Sequence, residues 1–208
     1  MNPQVPLVAA VAGAVALLVA QERAGRRVGA AAAKAAASGG FVLLAAMRAD
    51  LSRGYDRWVL LALVACLVGD LLLAAPRGLA AGLAAFALGH LGFTVAFATV
   101  LAPFEWSPAA GAALALASGG AAAWLWPHLG RLRAPVLAYT VLITAMAWGA
   151  ISLGARAGWM PPTAGVLFYL SDLAVARDRF VVGQFSSRVW GLPLYYAGQV
   201  LFALTLGG

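Results

Sequence analysis

The sequence predicts an all-α, polytopic membrane protein, a bundle of about eight transmembrane helices forming a single integral membrane domain over residues 1–208. Three observations carry this. Hydrophobic residues make up 63% of the chain and charged ones only 10%, against about 25% charged in soluble domains. Mean hydropathy is +0.90. Breaks at charged, Pro and Gly clusters leave apolar stretches close to the about 20 residues that cross about 30 Å of hydrocarbon. Lipid satisfies no backbone polar group, which makes helices the default, and nothing alternates as barrel strands do. No linker is long enough to separate two domains.

The first segment is Val5–Ala20. Met1–Pro6 has no positive charge and the cluster Arg23, Arg26, Arg27 follows the apolar run, the reverse of a signal peptide, so a retained helix is expected. Val28–Met47 follows, with Lys34 inside an alanine tract. Trp58–Ala75 contains Asp70 and the sole cysteine, Cys66, which excludes an intrachain disulfide and a Cys-based zinc site and reads as a small packing residue. Leu79–Leu101 carries His90, and Pro108–Trp126 is almost wholly Ala, Gly and Leu. Arg133–Ser152 carries Tyr139, Trp159–Ala176 carries Asp172, and Val189–Leu206 carries Tyr195, Tyr196 and Gln199. Small residues throughout let helix backbones approach closely in lipid, although the alanine tracts also read as compositional bias.

Fourteen Lys and Arg against seven Asp and Glu give a net charge of +7. The loops after the odd-numbered helices hold nine arginines (Arg23, Arg26, Arg27, Arg77, Arg131, Arg133, Arg177, Arg179, Arg188) and the opposite side four (Arg48, Arg53, Arg57, Arg156). This places the first set in the cytoplasm and both termini outside, in a multi-pass protein of the bacterial inner (cell) membrane. Contact with anionic lipid headgroups accounts for the basic excess. Nucleic acid is excluded as a partner because no basic face with interleaved aromatics exists.

An aspartate near the middle of a membrane helix costs roughly 2.5–3.5 kcal/mol, so an intramembrane carboxylate marks function by default. Asp70 and Asp172 both stand there, in the echoing runs GDLLLA and SDLAVA about half a chain apart, as a parallel two-fold duplication would place them. At 1.5 Å per residue, Lys34, Asp70, Tyr139, Asp172 and Tyr196 lie roughly 6–10 Å from the basic-loop side, with His90 and Gln199 about 15 Å in. That agreement in depth predicts one polar cavity open to one leaflet.

Structural readings stand beside each residue. The aspartates would form ion pairs, Lys34 would snorkel to the interface, His90 would bond a helix carbonyl, and the tyrosines would belong to an interfacial belt. His128 is expected to be solvated, Asp50, Asp56 and Glu105 to be loop charges, and Asp178 to pair locally with Arg177 or Arg179. A zinc set of His90, Asp70 and Asp172 has the right ligand types. Only one intramembrane histidine is present, however, and no His-x-x-x-His or Glu-x-x-His spacing, so no metal and no cofactor is expected.

Gly69-Asp70-Leu71, Phe86 to His90, Tyr139 to Met146 after Pro135, Ser171-Asp172-Leu173 with Phe180, and Tyr195-Tyr196 with Gln199 together resemble the YhhN-like lysoplasmalogenase family. The chain departs from the family's usual pattern at Lys34-Ala35-Ala36, where Lys-Pro-Leu is common, and at Phe93, where Tyr is common. The resemblance implies cleavage of the vinyl ether of a lysophospholipid substrate, lysoplasmalogen, to a fatty aldehyde and a glycerophospho-alcohol. Asp70 and Asp172 would be the catalytic acid/base pair. Lys34, His90, Tyr139, Ser171, Tyr195, Tyr196 and Gln199 would bind substrate. Protonation of the β-carbon, an oxocarbenium ion and attack by water need one protonated acid and one ionised carboxylate, much as in a glycosidase. A proton-coupled transporter of small molecules or lipids, using the same aspartates as a relay, is the alternative, with a non-catalytic lipid-binding protein the third reading.

Overall fold

The computed structural model describes residues 4–75 and 77–208, so Met1–Pro3 of the N-terminal reading lie outside the described residues. Eight long helices form: α1 Gln4–Arg23, α2 Arg27–Ala46, α3 Gly54–Ala74, α4 Leu79–Ala98, α5 Pro108–Leu125, α6 Arg133–Ala157, α7 Met160–Ala176 and α8 Phe185–Leu204. Short 3₁₀ turns at Pro103–Glu105, Trp126–His128 and Gly130–Leu132, and a π turn at Arg177–Val181, join some of them.

Each boundary has a local cause. Ser107 caps α5 by accepting from the Ala110 amide, with Pro108 behind it pre-set for a first helical position. Gly158 ends α6 at φ 76°, a conformation that side chains resist.

Six of the eight helices, α1 to α6, are long and apolar enough to cross a membrane. α7 has only 17 residues. α8 carries Arg188, Pro193, Tyr195, Tyr196 and Gln199 along one run. The expectation of about eight transmembrane helices is therefore met by eight helices of which six are long and apolar enough to span, and the two that fall short carry many of the polar residues singled out above.

The most extensive contacts are α3 with α4 and α7 with α8. α2 joins α8, α4 joins α6, and α5 packs on α6 at the outside with only Ser118 and Leu125 buried. The half of the bundle towards the α4 and α8 C-termini is filled by aromatic rings. Phe93 stacks on Phe202 with centroids 4.3 Å apart, and Phe97 packs against both. These rings lie at the end of the bundle away from Lys34, Asp70 and Asp172.

Two loop expectations are corrected. Asp56 is fully buried. Its Oδ2 accepts the amides of Asp50 and Gly207 at 2.9 and 3.1 Å, tying the α3 N-terminus to the end of the chain. Asp178 pairs with Arg188 at 3.1 Å rather than with its neighbours, and Arg188 reaches on to Glu22 at 2.6 Å. Arg177 instead donates to Ser187 at 2.8 Å. Asp50 and Glu105 do lie at the surface, the latter paired with Arg156 at 2.8 Å. The Ser52 hydroxyl and amide donate to the Asp50 carboxyl and hold it below the usual carboxylate range. His128 is exposed.

Candidate active site

A cavity of about 650 Å³ opens on the face bearing the α1–α2, α3–α4 and α7–α8 connections. Asp70 on α3 and Asp172 on α7 both line it, with Lys34, Tyr139, Ser171 and Tyr195. Arg26, Arg27, Arg179 and Arg188 stand at its mouth. Among the described residues, Arg26, Arg27 and Arg179 have no carboxylate within ion-pair distance, whereas Arg188 is engaged by Glu22 and Asp178. The cavity is thus lined by polar and apolar side chains, holds two carboxylates and is cationic at its entrance.

Asp70 is held by three donors. Tyr195 Oη donates to Oδ2 at 2.8 Å, Ser38 Oγ to the same oxygen at 2.7 Å, and Lys34 Nζ lies 3.4 Å from Oδ1. Ser38 Oγ also meets the Tyr196 hydroxyl at 3.1 Å. With Ser38 donating to Asp70, Tyr196 donates to Ser38. The ion-pair reading of Asp70 is therefore realised in geometry, with Lys34 held in place and not extended to the interface.

Asp172 is held differently. Tyr139 Oη donates to Oδ2 at 2.7 Å, and His90 Nε2 lies 3.2 Å from the same oxygen and 2.9 Å from Tyr139 Oη. The imidazole is fully buried, its Nδ1 unpartnered among the described residues and its ring packed 4.7 Å from that of Phe168. Asp172 is the more open carboxylate, its side chain 17% exposed against 3% for Asp70.

Not every expected residue reaches the cavity wall. Lys34, Tyr139, Ser171 and Tyr195 do. His90, Tyr196 and Gln199 do not. His90 contacts the lining residues Asp172 and Tyr139 directly, whereas Tyr196 reaches Asp70 only by way of Ser38, which does not line the cavity either. Gln199 is fully buried with its amide beside the Cys66 thiol, and no hydrogen bond of normal range is made by either amide atom among the described residues. Ser171 Oγ donates to the Phe168 carbonyl on its own helix at 2.7 Å, so the hydroxyl is spent inside α7.

Ser38 is the residue that sequence reasoning missed. The available signal was its position four residues after Lys34, which stacks both side chains on one face of α2. Among the described residues, no three His, Cys, Asp or Glu side chains converge as a metal would require.

These features define a class: a multi-pass helical membrane protein in which the carboxylates of Asp70 and Asp172 face one cavity open to one side. Residues 29–206 match the YhhN family, and the chain belongs to it. It is 37% identical over 169 residues to a lysoplasmalogenase of Mycobacterium tuberculosis, the match covering 77% of this chain and 64% of the relative. It is 34% identical over 155 residues to lysoplasmalogenase TMEM86B of Homo sapiens, covering 74% and 65%. Lysoplasmalogenase TMEM86A of Bos taurus is 33% identical over 132 residues, covering 60% and 53%. The chain thus spans less than two thirds of the length of these relatives. No solved structure matches it.

Proposed function

We propose that this chain is a membrane-embedded hydrolase that cleaves the vinyl ether of lysoplasmalogen to a fatty aldehyde and a glycerophospho-alcohol. All eight helices would span the membrane as one domain over residues 1–208, in the bacterial inner membrane, with the cavity mouth facing the cytoplasm. The observation that carries this reading is that two carboxylates with unlike partners face one cavity. Asp70, with an ammonium and two hydroxyl donors, is equipped to hold negative charge. Asp172 has one hydroxyl donor and an imidazole nitrogen, and is the more accessible of the two.

In the mechanism this implies, the Asp172 carboxyl delivers its proton to the β-carbon of the vinyl ether, leaving an oxocarbenium ion on the α-carbon and ether oxygen. The Asp70 carboxylate stabilises that cation and takes a proton from the water that adds to the α-carbon. The resulting hemiacetal gives its hydroxyl proton to the Asp172 carboxylate as the glycerol oxygen leaves with the proton held on Asp70, so the aldehyde departs and both carboxyls return to their starting states. Tyr139 and His90 orient Asp172. Lys34, Ser38 and Tyr195 orient Asp70, and Tyr196 steadies Ser38. Arg26, Arg27 and Arg179 at the mouth are placed to meet the phosphate of the headgroup.

The test is aldehyde release from lysoplasmalogen by the purified protein, with Asp70→Asn and Asp172→Asn as controls. Turnover that disappears in both variants supports the reading. A wild-type protein that releases no aldehyde yet moves protons or lipid across vesicles replaces it with the transporter. The cavity opens at one end of the helices while aromatic rings pack the other, which favours the enzyme.

A further inference from the structure

A second, apolar space of about 320 Å³ lies between α4, α5, α6 and α7. It is walled by Ala84 and Ala87 on α4, Ala121 on α5, and Val136 and Ile143 on α6. Ala84 and Ala138 are exposed at its lip, so it opens sideways, where lipid would surround the bundle. Four residues line both this groove and the polar cavity: Leu83, Tyr139, Asp172 and Val175. Asp70 lines only the polar one.

The groove also has a fixed end. Tyr169 lines it from mid-α7, and its hydroxyl meets Ser118 Oγ at 2.8 Å, which in turn meets Thr144 Oγ1 at 2.6 Å. Three helices thereby hold that ring in place. From Pro135 to Ile143 along α6 the groove runs roughly 12 Å at 1.5 Å per residue.

We propose that this groove holds the hydrocarbon chain of the substrate, entered from the bilayer, and that Tyr169 limits the chain length it accepts. The assignment rests on the hydrolase reading above and deepens it. A lysoplasmalogen has a charged headgroup, a vinyl ether, and then an unbroken alkyl chain, in that order. Two adjoining spaces, one cationic at its mouth and one apolar, match that order, and the four residues they share are where the vinyl ether must lie. Asp172 and Tyr139 are among those four. A chain entering from the bilayer stays among apolar groups throughout and meets no water on the way, and a lining of alanines leaves the room it needs.

The test uses the full-length protein in mixed micelles with an equimolar mixture of lysoplasmalogens bearing ten-carbon and sixteen-carbon alkenyl chains. The ratio of the two aldehydes is read by mass spectrometry, so differences in yield of active protein cancel. Ala87→Phe is expected to lower the long-to-short ratio at least tenfold, while Leu116→Phe, 79% exposed on the outer face of α5, leaves it within twofold of wild type. An active Ala87→Phe protein with the wild-type ratio overturns the groove assignment and leaves the hydrolase standing. A wild-type protein that releases neither aldehyde overturns the hydrolase reading and this assignment with it. Should Ala87→Phe not fold, wild-type protein is photolabelled with a saturated alkyl-ether lysophospholipid carrying a mid-chain diazirine. Label on Ala84–Ala87 and Val136–Thr140 supports the groove, and label spread over the outer faces of α1 and α5 overturns it.

Discussion

Asp70 and Asp172 face the same cavity from α3 and α7, and each takes its partners from two helices that correspond by a shift of four. Asp70 is bonded from α2 by Lys34 and Ser38 and from α8 by Tyr195. Asp172 is bonded from α6 by Tyr139 and approached from α4 by His90. The helix contacts repeat the relation, with α3 on α4 matching α7 on α8, and α2 on α8 matching α6 on α4. The GDLLLA and SDLAVA echo thus coincides with two half-sites of one plan and different chemistry, an ammonium serving one aspartate and an imidazole the other.

Asp70→Asn and Asp172→Asn are each expected to keep the fold, since Asn is nearly isosteric and less costly in lipid than a charge. Each should lose at least the roughly 100-fold contributed by a general acid or base. Aldehyde release and melting temperature measured on the same purified variants check this. A well-folded variant at near wild-type rate removes that aspartate from the mechanism.

Lys34→Met leaves the buried Asp70 carboxylate without its cation and should lower the melting temperature, because breaking a buried pair costs about 3–5 kcal/mol. Partial exposure of Lys34 and its 3.4 Å separation place the expected loss at the low end. Adding Asp70→Asn in the same chain should restore the melting temperature and not the activity. Thermal unfolding of the single and double variants isolates the pair.

Tyr139→Phe removes the hydroxyl that donates to Asp172 at 2.7 Å and meets His90 at 2.9 Å. Hydrogen bonds to charged groups contribute about 1.5–3 kcal/mol, so kcat should fall roughly ten- to a hundredfold. His90→Asn should lower kcat, since its imidazole nitrogen stands 3.2 Å from Asp172 Oδ2 and 2.9 Å from Tyr139 Oη and fixes both. A kcat unchanged in the folded variant assigns His90 to packing alone.

Gly89→Val should disable the enzyme from outside the cavity. A Cβ there would sit 2.7 Å from Cys66 Sγ and 3.3 Å from the Ala62 carbonyl, forcing α4 off α3 and carrying His90 with it. Overpacking of this kind costs about 1–3 kcal/mol. Gly120→Ala on α5, where a Cβ meets nothing within 4 Å, should be tolerated. Melting temperatures of the two variants make the comparison.

Asp56→Ala tests the opposite end of the bundle. The loss removes the shared acceptor of the Asp50 and Gly207 amides, at about 0.5–1.5 kcal/mol for each hydrogen bond. Stability should drop while the protein that remains folded turns over at the wild-type rate. A rate loss exceeding the loss of folded fraction would place Asp56 in the catalytic machinery.

All-helical membrane architecture, the helix boundaries to within a few residues, and the candidacy of Asp70 and Asp172 were determined by the sequence alone. Each rests on a local property: a run of apolar residues must become helix in lipid, and a carboxylate within such a run is costly wherever the helix is placed. Depth was legible as well, since rise per residue is constant along a helix. Rotation about the helix axis was not, because it depends on which neighbours each helix finds. Only the tertiary structure decided that Tyr195 faces Asp70 while the adjacent Tyr196 turns to Ser38, that His90 and Gln199 stop short of the cavity wall, and that Asp56, read as a loop charge, is buried. The apolar groove beside Asp172 belongs to no single segment. It is the space left where four helices carrying small residues fail to close on one another, and a sequence records the size of each side chain without recording which gap it faces.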